Sequence, residues 1–95
     1  VNRVELSAKI VEISAQRFTP AGLAALDLLL EHEMELVELG RKRQVRLTIK
    51  AIVMGDLVEP VSKISLGSEC KFLGFLVSPK SYKTVIFHIQ EVSKL

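Results

Sequence analysis

The chain has one cysteine, no tryptophan, one tyrosine, three prolines and five glycines among its 95 residues. A single cysteine, Cys70, excludes an intrachain disulfide and any zinc cluster built on several thiolates. It stands in an apolar stretch and reads as a buried small hydrophobe rather than a nucleophile, a usage that fits a reducing compartment. The scarcity of glycine and proline leaves no low-complexity tract, linker or repeat, so one domain over residues 1–95 is expected. No apolar run approaches the roughly 18–20 residues of a membrane-spanning helix, because Leu28-Leu29-Leu30 is cut short by Glu31 and Glu33. The opening Val1-Asn2-Arg3-Val4-Glu5 lacks the apolar core of a secretory signal. Charge of one sign is scarce too. Thirteen Lys and Arg face eleven Asp and Glu, for a formal charge of +2 and a pI near 8.9. That balance does not by itself point to nucleic acid; the distribution of charge has to decide.

Catalytic spacing is also missing. The sequence has no glycine-rich phosphate loop, no nucleophile elbow and no paired-histidine metal motif, so neither an enzyme nor a cofactor is expected. Glu31, His32 and Glu33 invite a metal reading, but neighbours on a strand point to opposite faces and do not converge on one ion.

What is present is β-patterning. Val4, Leu6, Ala8 and Ile10 alternate with Glu5, Ser7 and Lys9, the pattern of a half-buried strand. The apolar set then shifts by one residue to Val11 and Ile13, which predicts a bulge or a sharp bend. Thr19-Pro20-Ala21-Gly22 is a turn. Leu23 to Leu39 is ambiguous: Leu, Ala, Glu and Met favour a helix, with Thr19 to cap it and Gly40 to stop it. Leu26, Leu28, Leu30, Met34 and Leu36 nevertheless share one parity, as a strand requires. Val45, Leu47, Ile49 and Ala51 make the cleanest strand pattern. Asp56 to Ile64 reads as a short helix or irregular crossover. Cys70 to Val77 reads as a strand with a bend or close backbone approach at Gly74, and Thr84 to Val92 as the last strand. If the ambiguous segment is a strand, five strands with a short helix or turn between the third and fourth give the order of an OB-fold, a partly open Greek-key barrel.

Fragments along the chain resemble the primosomal replication protein N family, the single-strand-binding-like subunit of the bacterial replication-restart primosome. They are Asn2-Arg3, Pro20-Ala21-Gly22, Leu30-Glu31-His32, Gly40 with Gln44, Gly67, Gly74-Phe75 and His88. The resemblance spans nearly the whole chain and implies that Leu23 to Glu35 is a strand followed by a hairpin loop. It also implies a homodimer in the bacterial cytoplasm, acting at stalled forks. Its expected partners are single-stranded DNA, the restart helicase and, in some bacteria, a helicase-loader protein. The chain departs from the family in its lack of Trp and in carrying Arg46 where some relatives place a stacking aromatic, which weakens the expected base stacking.

The candidate binding residues follow from charge and aromaticity. Arg41, Lys42, Arg43 and Arg46 form the densest basic cluster; cations attract phosphates, and a guanidinium stacks on a base. Arg46 points away from the core by strand parity, and Lys50 shares its face at a greater distance along the strand. Arg17, which matches a basic position of the family, and Phe18 sit before the first turn. Phe18 either stacks on a base or plugs the hairpin from beneath. Lys80, Tyr82 and Lys83 lie in the loop before the last strand, an aromatic between two lysines. Phe72 and Phe87 read as core, whereas Phe75 is left open by Gly74. The acidic run Glu31, Glu33, Glu35, Glu38 reads as a face kept from DNA or offered to a protein. The expected function is non-catalytic binding of single-stranded DNA that stabilises or recruits the restart helicase. The alternatives are a protein-only adaptor and an RNA-binding OB domain, since charge and stacking serve RNA equally.

Overall fold

In the computed structural model, which describes residues 1–80 and 83–95, six strands form one sheet that closes on itself. They are β1 (Val4–Ile13), β2 (Arg17–Phe18), β3 (Ala24–Glu38), β4 (Arg41–Met54), β5 (Glu69–Val77) and β6 (Ile86–Lys94). A 3-10 turn (Gly55–Leu57) runs into a short helix, α1 (Val58–Ser62), between β4 and β5. The strands pair in the order β1-β5-β6-β4-β3, and β3 pairs back onto β1. Every contact is antiparallel except β4 with β6, which run parallel through Ala51–Phe87 and Ile52–His88. This is the five-stranded OB barrel. The two-residue β2 is an addition on the edge of β3, pairing Arg17 with Ala25 and Phe18 with Ala24.

The alternation seen in the sequence sets the register. Ala8, Ile10, Leu26, Leu28, Leu30, Ala51, Val53, Phe72, Phe87 and Ile89 fill the barrel, and Val58 and Val61 of α1 join them. Pro60 is tolerated in α1 because the first turn of a helix has no intrahelical use for its N–H. Phe72 and Phe87 are fully buried, as is Cys70, and burial pushes the Cys70 thiol pKa up. The phase shift in β1 is a bulge between Ile10 and Glu12. It lets the strand leave β5, which it pairs from Val4 to Lys9, and continue on β3. Gly74 marks a second irregularity, in the β5–β6 register; a Cβ there would collide with the backbone carbonyl of His88. At the start of the chain Asn2 extends the ladder with its side chain. Its amide donates to the carbonyl of Leu76 at 2.7 Å and accepts from the N–H of Leu76 at 2.9 Å.

The segment with helical propensity is a strand of 15 residues. Its even-numbered residues point inward as far as His32, and it is held by an unbroken ladder from Ala25–Met54 to Glu38–Arg41. That ladder and the burial of Leu26, Leu28 and Leu30 outweigh propensities of a few tenths of a kcal/mol per residue. The strand also runs past Glu35, where a hairpin loop was expected, and turns only at Leu39-Gly40. Both turn residues have positive φ, 52° and 76°, the backbone of a two-residue type I′ hairpin. Beyond Glu31, β3 leaves β1, so the outer part of the hairpin is paired only within itself among the described residues. The last strand begins at Ile86 rather than Thr84.

Candidate nucleic-acid interface

Two connections carry candidate residues, the β1–β3 connection, whose β2 lies on the edge of β3, and the β5–β6 connection. At their roots lies an open groove of about 750 Å³. Glu12, Asp27, Leu29, Lys50, Leu66 and Ile86 are among its lining residues. Lys50, which shares the face of Arg46 at a greater distance along the strand, lines this groove opposite Leu29. The signal for it was available in the parity it shares with Arg46.

The structure divides the basic cluster. Lys42, Arg46 and Lys50 share the outer face, across from Val37, Glu33 and Leu29. Arg43 lies opposite Leu36 on the face that continues the barrel interior, so it does not stand beside Arg46. Alternation of side chains along a strand separates them. The acidic run shares a face with part of the basic cluster. Glu31, Glu33 and Glu35 are on the same outer face as Arg46 and directly across from Thr48, Arg46 and Gln44. Cross-strand ion pairs follow: Arg46 Nη2 to Glu33 at 3.2 Å, Lys42 Nζ to Glu35 at 3.9 Å, and on the other face Arg43 Nη1 to Glu38 at 2.6 Å. Gln44 donates to Glu35 at 2.9 Å.

Arg17 is held by a two-point fork. Its Nε and Nη2 donate to the two oxygens of Asp27 at 2.8 and 2.9 Å. The hydrogen bond from Arg17 is the main reason that the Asp27 carboxyl titrates below its ordinary value, while the same contact raises Arg17. Ser14 strengthens this corner, since its hydroxyl accepts from the Asp27 N–H at 3.0 Å. The turn after β2 is closed by the Gly22 N–H donating to Thr19, with Gly22 at φ 86°. Phe18, beside Arg17, is 67% exposed; it is not a plug beneath the hairpin. Lys80 and Lys83 are exposed in the β5–β6 connection, and Tyr82 lies outside the described residues. Phe75 stacks on His88, with ring centroids 4.6 Å apart and 13° between planes. His32 is 8% exposed and points inward, between Glu31 and Glu33, which point out. Its Nδ1–H donates to the carbonyl of Ser7, near the place where β1 parts from β3, so the ring serves the sheet.

Barrel closure and strand order define a protein of the OB-fold class. Residues 2–91 match the model of a family described as "another single-strand binding protein family". The chain is 45% identical over 96 residues to replication restart protein PriB of Bordetella pertussis, covering all of this chain and 90% of the relative. With PriB of Nitrosomonas europaea the identity is 26% over 91 residues, covering 95% of this chain and 84% of the relative. The crystal structure of PriB from Ralstonia solanacearum superposes with a TM-score of 0.89 at 31% identity, over 99% of this chain and 97% of that one. The single-stranded DNA binding protein of Thermus aquaticus, at 24% identity and a TM-score of 0.77 over 100% of this chain and 50% of that one, shares the fold. The chain belongs to the PriB family of replication restart proteins, the primosomal replication protein N family of the resemblance.

Proposed function

We propose that this protein is a non-catalytic, single-stranded-DNA-binding accessory of the replication-restart primosome, acting in the bacterial cytoplasm as a homodimer of single OB-fold domains. The DNA path runs over the outer β3–β4 face, past Lys42, Arg46 and Lys50. Arg17 and Phe18 of β2 and Lys80 and Lys83 of the β5–β6 connection are its further contacts, and Tyr82, between those lysines in sequence, is a candidate for stacking. Arg43 contributes from the opposite face of the hairpin. Held there, the protein stabilises or recruits the restart helicase and, where one is present, the helicase loader. The observation that carries this reading is the exposed Phe18 ring, one residue along β2 from the Arg17 guanidinium that Asp27 holds on the other face of that strand. Solvent-exposed aromatics stack bases and cations hold phosphates in proteins that bind single strands. Membership in a family whose relatives are named for replication restart supports the biological setting.

A protein-only adaptor is the second reading, favoured by the pairing of the hairpin cations with carboxylates. Fluorescence anisotropy of a labelled oligo-dT of about 30 nucleotides, titrated at several salt concentrations, decides between them. Duplex DNA and RNA of equal length are the controls. Binding to oligo-dT that tightens as salt falls supports the proposal. Arg46→Ala should then weaken binding by about tenfold, the loss of one strong phosphate or stacking contact, and Arg43→Ala by less. A folded protein that binds no oligonucleotide at low salt would establish the adaptor.

A further inference from the structure

Strand β3 carries the carboxylates that β4 and the first loop need for their cations. The two-residue turn at Leu39-Gly40 puts residues equidistant from it across from one another, which sets Glu33 against Arg46 on the outer face. Diagonal neighbours add Lys42 with Glu35 and Arg43 with Glu38, and the Arg17–Asp27 fork repeats the arrangement at the root of the strand. Each cation proposed above to meet DNA from β2 and from the outer hairpin thus already holds a carboxylate oxygen of β3. A phosphate offers the same planar pair of anionic oxygens to a guanidinium as a carboxylate does. The two ligands therefore compete for one donor set.

We infer that the β3 carboxylates are built-in competitors of the DNA backbone, with Glu33 the competitor at Arg46 and Asp27 the competitor at Arg17. Binding replaces the carboxylate with a phosphate and leaves the acid to solvent. The device sets the affinity of the face low and makes it dependent on several phosphates arriving together, because each exposed ion pair is weak alone and easily exchanged. It accounts for the ion pairs of the outer hairpin, Glu33 with Arg46, Glu35 with Lys42 and Glu38 with Arg43. The inference rests on the proposed DNA-binding reading of this face.

The test is a double-mutant cycle on the full chain, read by anisotropy with oligo-dT: wild type, Glu33→Gln, Arg46→Ala and the double variant. Glu59→Gln on α1, where Glu59 pairs with Lys63 at 3.1 Å, controls for the change in net charge. Competition predicts that Glu33→Gln tightens binding by about 2- to 5-fold, the range of an exposed ion pair, and steepens the salt dependence. It also predicts that Arg46→Ala costs more affinity in the Glu33→Gln background than in wild type, the coupling that only a shared partner produces. Glu59→Gln should leave binding within twofold. Glu33→Ser gives a second background if the Gln variant melts early. Additive effects of Glu33 and Arg46, or equal tightening by Glu33→Gln and Glu59→Gln, would overturn the inference and leave DNA binding intact. Absence of binding by wild type and by every variant would remove the proposed function itself, and the inference with it.

Discussion

Asp27 shows how one residue ties a loop to the barrel and leaves a mark on pH dependence. Its carboxylate accepts both donors of the Arg17 fork, which holds its pKa below the ordinary carboxylate value of about 4. A group whose folded pKa is depressed contributes stability above its unfolded pKa and loses it as pH falls through the folded one. Thermal melts of wild type and Asp27→Asn should therefore differ at pH 7 and converge below pH 4. The pair is about half exposed, so the neutral-pH gap should be modest, on the order of 0.5–1 kcal/mol. A gap that persists unchanged at acid pH would mean that Asp27 acts through packing or its Ser14 contact instead of through its charge.

Among the elements, the β3–β4 hairpin is governed by its turn. Leu39 sits at φ 52° and is almost wholly exposed, so it takes the strain of the left-handed region and gains nothing from burial. Asparagine is favoured at the first position of a type I′ turn because its short polar side chain tolerates that backbone. Leu39→Asn should stabilise the protein by about 0.5–1 kcal/mol, read as a rise of a few degrees in the melting midpoint. An unchanged or lower midpoint would show that the exposed leucine has a packing partner in solution. The same turn fixes the register of the long ladder, and with it which cation faces which acid. A slip of one residue would send Arg46 to the other face.

The whole molecule separates a packed interior from a polar, exchangeable exterior, and two phenylalanines illustrate the division. Phe72 is fully buried in the barrel, so Phe72→Ala should cost about 3–5 kcal/mol, a large share of the stability of a domain this size. Phe18 is exposed at the rim, so Phe18→Ala should leave the melting midpoint within about 2 °C while weakening oligo-dT binding by roughly tenfold, the loss of one stacked base. Denaturation and anisotropy on the same two preparations check both statements. Loss of stability without loss of affinity in Phe18→Ala would return that ring to the core and move the stacking site elsewhere. The outer pairs of the hairpin stand clear of the barrel, so changes there should act on affinity far more than on the melting midpoint.

The sequence by itself settled the strands whose apolar residues alternate. The period of β1 and β4, the bulge after Ile10, the irregularity at Gly74 and the burial of Phe72, Phe87 and Cys70 were all legible, because a period of two and a one-residue phase shift are local properties. Residues Leu23 to Leu39 were not settled in this way. Their composition is helical, and only pairing with β1 and β4 on either side, together with the closed barrel that buries Leu26, Leu28 and Leu30, makes them a strand. The candidate cations could be listed from the sequence but not sorted. Arg43 and Arg46 look like one cluster along the chain and lie on opposite faces in the sheet, while Lys50 and Phe18 gain their positions at the groove and rim from the barrel's closure. The place of the acidic run was not legible for the same reason. Whether a glutamate repels DNA from a distance or occupies the arginine that would bind it depends on register, and register is a property of two strands together, fixed by the turn that joins them and by the core they share.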